Sequence, residues 1–232
     1  MLYSSLTTRL LILKNKYNLL LFFLLILFIF RPSDQSLAYF SLWKVFLTIT
    51  ILTAIFNCKH HKIIQSIEIG LAIPIIFLSW SDLLWPHPWI FMVNTLCSIA
   101  FTLLCAISII KDMLLKVQSL SETLKGVICA YFLVALAFSY LFWVIDYTTP
   151  QSFFYSQGVL DPLWYSAYIS KMIYFSFVTL LAIGFGDIIP ISDPAQTAVV
   201  LEGLVGQFYV AILVSRLIIT HSNKQKISKE LP

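Results

Sequence analysis

Charge is what this chain has least of. Lysine, arginine, aspartate and glutamate make up 11% of its 232 residues, against 59% hydrophobic. A soluble domain of this length needs roughly twice that share of charge to cover its surface. The composition therefore excludes a soluble globular protein. Cysteine is sparse too, and Cys58, Cys97, Cys105 and Cys129 lie in or beside apolar runs without CxxC spacing. That excludes a disulfide framework or thiolate metal site and leaves small buried hydrophobes. No Ser-His-Asp set, phosphate loop, HExxH helix or pair of catalytic carboxylates is present, so no enzyme is expected. In Cys58-Lys59-His60-His61-Lys62 the adjacent histidines do not share a face, and the segment reads as a short basic loop.

Long apolar runs are what the chain has instead. Bounded by charge or proline, six candidate membrane spans appear: Tyr17–Phe30, Leu37–Asn57, Ile64–Trp80, Trp89–Ile110, Gly126–Ile145 and Ala195–Ile219. The first and third are short for a bilayer that takes about 20 residues to cross. Between the last two lies Ala167–Leu180, too short to cross and suited to a re-entrant helix. We expect an all-α membrane protein with a peripheral region over 1–110 and an interfacial linker over 111–125. A two-helix module over 126–220 and a polar tail over 221–232 would complete it. No soluble ligand-sensing domain is expected within these residues. Lys14, Lys16 and Ser36-Leu37-Ala38 imitate a cleaved leader, but Arg31 directly after the run counts against one.

The net charge of +4 does not mark a nucleic-acid binder, because its distribution is one-sided. With the N-terminus cytoplasmic, the inner segments hold Arg9, Lys14, Lys16, Lys59, Lys62, Lys111, Lys116, Lys125, Arg216, Lys224, Lys226 and Lys229. The outer segments hold Asp34, Asp82, Asp146, Asp161, Asp187 and Asp193. The bias of basic residues to the inside places both termini in the cytoplasm. The linker lysines would meet anionic lipid headgroups there, at about 1 kcal/mol each. Trp89–Ile110 carries no basic residue, which excludes voltage sensing by a ladder of arginines. Lys44 in the second span is expected to snorkel toward the outer interface, with a buried pair to Glu68 as the alternative.

The most specific stretch is Thr179-Leu180-Leu181-Ala182-Ile183-Gly184-Phe185-Gly186-Asp187, directly after the short apolar helix. Glycine alternating with a large residue permits dihedrals closed to other residues. Several such strands around an axis would form stacked rings of carbonyl oxygens able to replace the water around a monovalent cation.

These residues, with Tyr174–Leu180 before them and Ile188-Ile189-Pro190 after, resemble the pore signature of bacterial members of the potassium-channel superfamily. The resemblance extends through Leu201–Ala211 and touches Gly126–Tyr131. It implies a multi-pass protein of a plasma membrane, with four copies closing one filter. Ala182, Ile183, Gly184 and Phe185 would present carbonyls to potassium, which is cargo; no cofactor is implied. Gly186 would permit the conformation, and Asp187 would sit at the outer mouth. Trp164 would brace the pore helix, Gly206 would be the inner-helix hinge, and Gln207, Val210 and Val214 would face the pore. Thr179 and Leu181 would support the filter from behind. Lys171 and Glu202 would brace it as an ion pair, with Glu202 as a solvated residue of the outer vestibule as the alternative. The family has threonines where this chain has Leu181 and Ala182, so the innermost ion site lacks a hydroxyl. Two alternatives stay open: a transporter, against which stands the lack of an internal repeat, and a nonconducting structural or regulatory subunit.

Overall fold

The computed structural model describes residues 17–30, 37–57, 62–81, 87–115, 120–156 and 165–230. In chain order its elements are α1 (Asn18–Ile29), α2 (Leu37–Asn57), α3 (Lys62–Ser81), α4 (Pro88–Leu115) and α5 (Leu120–Thr148). There follow β1 (Phe153–Tyr155), α6 (Tyr165–Leu180), β2 (Ile188–Pro190) and α7 (Asp193–Glu230). Helix α5 is the hub, touching α1, α4, α6 and α7, while α2 and α3 reach it through α1 and α4. The buried side chains form one continuous apolar cluster running from Tyr17 of the N-terminal segment to Ala198 of α7.

All six expected spans fall on helices, but their lengths differ from a uniform six-span reading. Among the described residues, four helices are long and apolar enough to cross a membrane: Ile63–Ser81, Pro88–Met113, Ser121–Thr148 and Asp193–Leu213. Shorter apolar stretches of described residues lie in α1 (Asn18–Ile29), α2 (Ser41–Phe56) and α6 (Ala167–Leu180). The expected linker over 111–125 is divided between the last turn of α4 and the first turns of α5, with 116–119 outside the described residues. Helix α7 likewise continues through most of the expected tail. A charged, apolar-flanked segment continues as helix readily, because nothing between Asp193 and Glu230 except Pro194 in the first turn interrupts it.

Lys44 does not snorkel: it is 2% exposed, so burial replaces the expected route to the interface. Glu68 is buried as well, and the Cys105 thiol donates to its Oε1 at 3.7 Å. The peripheral helices also carry buried hydroxyls and amides, among them Ser79, which exchanges hydrogen bonds with Asn94. His60 and His61 lie outside the described residues.

Two aromatic clusters fix α6 against the hub. Phe28 of α1 and Phe132 of α5 meet Phe177 with ring centroids 4.7 and 4.9 Å away. Two residues earlier, on the opposite side of α6, Phe142 of α5 and Phe153 of β1 meet Phe175 at 5.3 and 5.7 Å. Edge-on and tilted rings at these spacings add about 0.5–1.5 kcal/mol each beyond their buried area. A short helix with no stabilising length of its own is thereby held from two sides.

Candidate functional site

Helix α6 spans 16 residues, a rise of about 24 Å, and stops short of a full crossing. It ends in a defined cap. The Ile183 N–H donates to the Val178 carbonyl at 2.9 Å and the Ala182 N–H to the Thr179 carbonyl at 3.0 Å. This is the Schellman pair, and it requires a left-handed residue between the two donors. Ala182 supplies it at φ 54°, where glycine would be usual. For an alanine that conformation costs about 1–2 kcal/mol.

The left-handed residues then alternate with others. Gly184 has φ 63° and Gly186 φ 75°, whereas Ile183 and Phe185 between them have no positive φ. Alternation of this kind turns successive carbonyls toward one side of the strand; in a β-strand they alternate sides. The cap of α6 and the first step of the alternating strand are thus one structure, built at Ala182. The negative end of the α6 dipole lies at the same place, where it favours a cation.

Beyond the strand, the chain is clamped. Strands β1 and β2 pair antiparallel, with Phe153 opposite Pro190 and Tyr155 opposite Ile188. The Ser156 N–H donates to the Asp187 carbonyl at 2.9 Å. Ser152 is the centre of the clamp. Its N–H donates to Asp146 Oδ1 at 2.6 Å, its carbonyl accepts from the Ile191 N–H at 2.8 Å, and its hydroxyl accepts from Ser192 at 2.8 Å. The second oxygen of Asp146 accepts from the Tyr168 hydroxyl at 2.8 Å. Asp146, Ser152 and Tyr168 are all buried. Burial also pushes the Tyr155 phenol upward, so this strand residue stays neutral. Ser192 caps α7 as well, accepting from the Ala195 N–H at 3.4 Å.

Helix α7 touches the rest of the chain along one stripe. Ala195, Ala198, Glu202 and Gly206 are buried at helical spacing, with Tyr209 and Leu213 half-buried below them. At Gly206 a Cβ would stand 2.8 Å from the Leu180 carbonyl oxygen, so glycine is required there for close approach to the end of α6. It sits on the packed side of α7. Gln207 and Val210 are exposed, and the side chain of Val214 is outside the described set. The Glu202 carboxyl is hydrogen-bonded to the Ser176 hydroxyl of α6; Lys171, its expected partner, is exposed. Positions 171 and 176 stand about 140° apart around a helix, so only one can face α7.

Leu181 is 55% exposed in the single chain and is not packed behind the strand by its own residues. Thr179 is half-buried, and Trp164 lies outside the described residues. Phe185 stacks parallel to Tyr174 with centroids 6.4 Å apart, yet remains 66% exposed. Sequence reading missed Asp146 as a clamp, Ser176 as the partner of Glu202, and the β1–β2 ladder.

A short helix feeding an alternating strand between two long apolar helices is the arrangement a membrane pore module would need. Comparison with known families agrees: residues 126–222 match the family described as Ion channel. The match, to a two-transmembrane pore-module family of the potassium-channel superfamily, covers a little under half of the chain's length. No curated protein and no solved structure matches the chain.

Proposed function

We propose that the chain is the pore-forming subunit of a monovalent cation channel selective for potassium, closed as a ring of four copies. The single observation that carries this reading is the alternation of positive φ at Ala182, Gly184 and Gly186 directly after the α6 cap. One strand supplies a quarter of a coordination shell, so the site is incomplete without other copies. The exposed apolar residues of the strand and of α7 support that assembly. Leu181, Ile183 and Phe185 are 55%, 48% and 66% exposed, and Val200, Leu204, Phe208 and Ile212 leave a broad apolar surface on α7. Gln207, Val210 and Val214 would face the cavity below the filter, and Asp187 its outer mouth. The basic inner segments support cytoplasmic termini and contact with anionic lipid.

In this account the carbonyls of Ala182, Ile183, Gly184 and Phe185 coordinate the ion. The ring at Ala182 works without a side-chain hydroxyl, leaving the innermost site weaker than one built on threonine. That departure also favours a second reading, a nonconducting or weakly selective subunit of the same architecture. Flux of potassium against sodium into liposomes containing the full chain separates the two. Selective potassium uptake supports the channel; uptake no greater than in empty liposomes supports the nonconducting subunit. Ala182→Thr adds the missing hydroxyl, and unchanged conductance and selectivity in that variant would refute the weak inner site.

A further inference from the structure

Behind the strand, where α5, α6 and α7 meet, lies a polar seam sealed from solvent. Glu202 of α7, Ser176 of α6 and Ser139 of α5 are each 0% exposed. The Ser176 hydroxyl touches two oxygens, the carbonyl of Ala135 at 2.8 Å and Oε1 of Glu202. Ser139 is bonded to the same Ala135 carbonyl at 2.7 Å and lies 3.2 Å from the Met172 carbonyl. The other Glu202 oxygen is buried with no hydrogen-bond partner among the described residues.

Proton counting decides the roles. A serine hydroxyl has one hydrogen, and a backbone carbonyl can only accept. If Glu202 were a carboxylate, Ser176 would face two acceptors with one proton, leaving two bare oxygens in contact. The same carboxylate would hold its remaining oxygen unpaired at 0% exposure, the costly case for a buried charge. Among the described residues no cation is paired with Glu202, whose hydrogen-bond partner is Ser176.

We infer that Glu202 enters the seam as a neutral acid and a hydrogen-bond donor. Its O–H donates to Ser176, whose O–H donates to the Ala135 carbonyl, one directional chain from α7 through α6 to α5. One turn further along both helices, Gly206 meets Leu180. The pairs Glu202–Ser176 and Gly206–Leu180 therefore join α7 to α6 at two successive turns, immediately before the cap at Ala182. Glu202 is a positioning residue: it acts on the strand through Ser176 and the last turn of α6. Its neutrality also leaves the pore without a fixed negative charge behind the strand. The functional part of this inference rests on the channel reading; the protonation does not.

The test uses the full chain in liposomes with two readouts. Infrared spectra should contain a protonated-carboxyl stretch that disappears in Glu202→Gln, whose amide keeps one donor and one acceptor. Potassium flux and oligomer recovery in Glu202→Gln should stay within about twofold of wild type. Glu202→Ala and Ser176→Ala, which break the chain of donors, should each lower them about tenfold. A Glu202→Gln spectrum that keeps the protonated-carboxyl band, or Glu202→Gln as damaging as Glu202→Ala, would overturn the inference. If the wild type conducts nothing, the channel reading fails while the infrared arm and oligomer recovery still decide the role of Glu202. If Glu202→Ala does not fold, the Glu202→Gln comparison decides alone.

Discussion

Helix α5 has 61% of its apolar window buried within its own chain, and α7 has 17%. Both are long enough to cross a membrane and both bracket the same loop. The first is covered by α1, α4, α6 and α7 and has the packing of a helix in a folded core. The second is anchored along one stripe, at Glu202 and Gly206, and leaves Val200, Leu204, Phe208 and Ile212 uncovered. Lipid could cover such a face at no energetic penalty, since it is as apolar as leucine. The strand beside it is a different matter, because polar backbone facing a bilayer must be buried in protein or line a water-filled cavity. The contrast teaches that α5 is finished by its own sequence, and that α7 with its strand is not; on the channel reading proposed above, other copies finish it.

One charge placed on each helix sharpens that contrast most. Leu133 of α5 is fully buried, and Leu133→Lys should cost about 3–5 kcal/mol and prevent recovery of folded chain. Leu204 of α7 is 48% exposed, and Leu204→Lys should leave helix content unchanged while abolishing the oligomer. Circular dichroism with size-exclusion chromatography separates these outcomes; equal unfolding in both variants would break the comparison.

Next in size is Gly206→Val, which drives a branched side chain against the Leu180 carbonyl. It should cost about 3 kcal/mol and loosen α7 from α6, read as a lower temperature of oligomer dissociation. Asp146→Ala removes the acceptor of both the Ser152 N–H and the Tyr168 hydroxyl. A loss of about 2–3 kcal/mol is expected, with faster amide exchange at Ser152 and Ile191 and little change in α7. Smallest is Ala182→Gly, which relieves the left-handed alanine and should stabilise the α6 cap by about 0.4–1 kcal/mol. Melting of the oligomer at slightly higher temperature would agree, and destabilisation would show that the alanine Cβ is packed in the assembly.

The long helices and the short apolar one before the strand were legible because hydropathy and length are local properties. So was the strand, since two closely spaced glycines among only seven stand out. Partners were not legible. Pairing Glu202 with Lys171 followed charge, whereas the rotation between positions 171 and 176 assigns Ser176 to that face. Lys44 read as a snorkelling residue from its depth alone; the buried polar groups of the peripheral helices appear only once those helices are packed. The ladder of β1 and β2 has three residues per strand and joins segments far apart in sequence, so no periodicity announces it. Gly206 read as a hinge by position, and its close approach to Leu180 was not foreseen.

The most direct test is a density map of the assembled particle in potassium solution. The account predicts a fourfold axis running beside residues 182–185, with the carbonyls of four copies facing it and ion density between successive rings. A particle whose 182–185 segments lie away from every symmetry axis, with no continuous opening alongside, would contradict it.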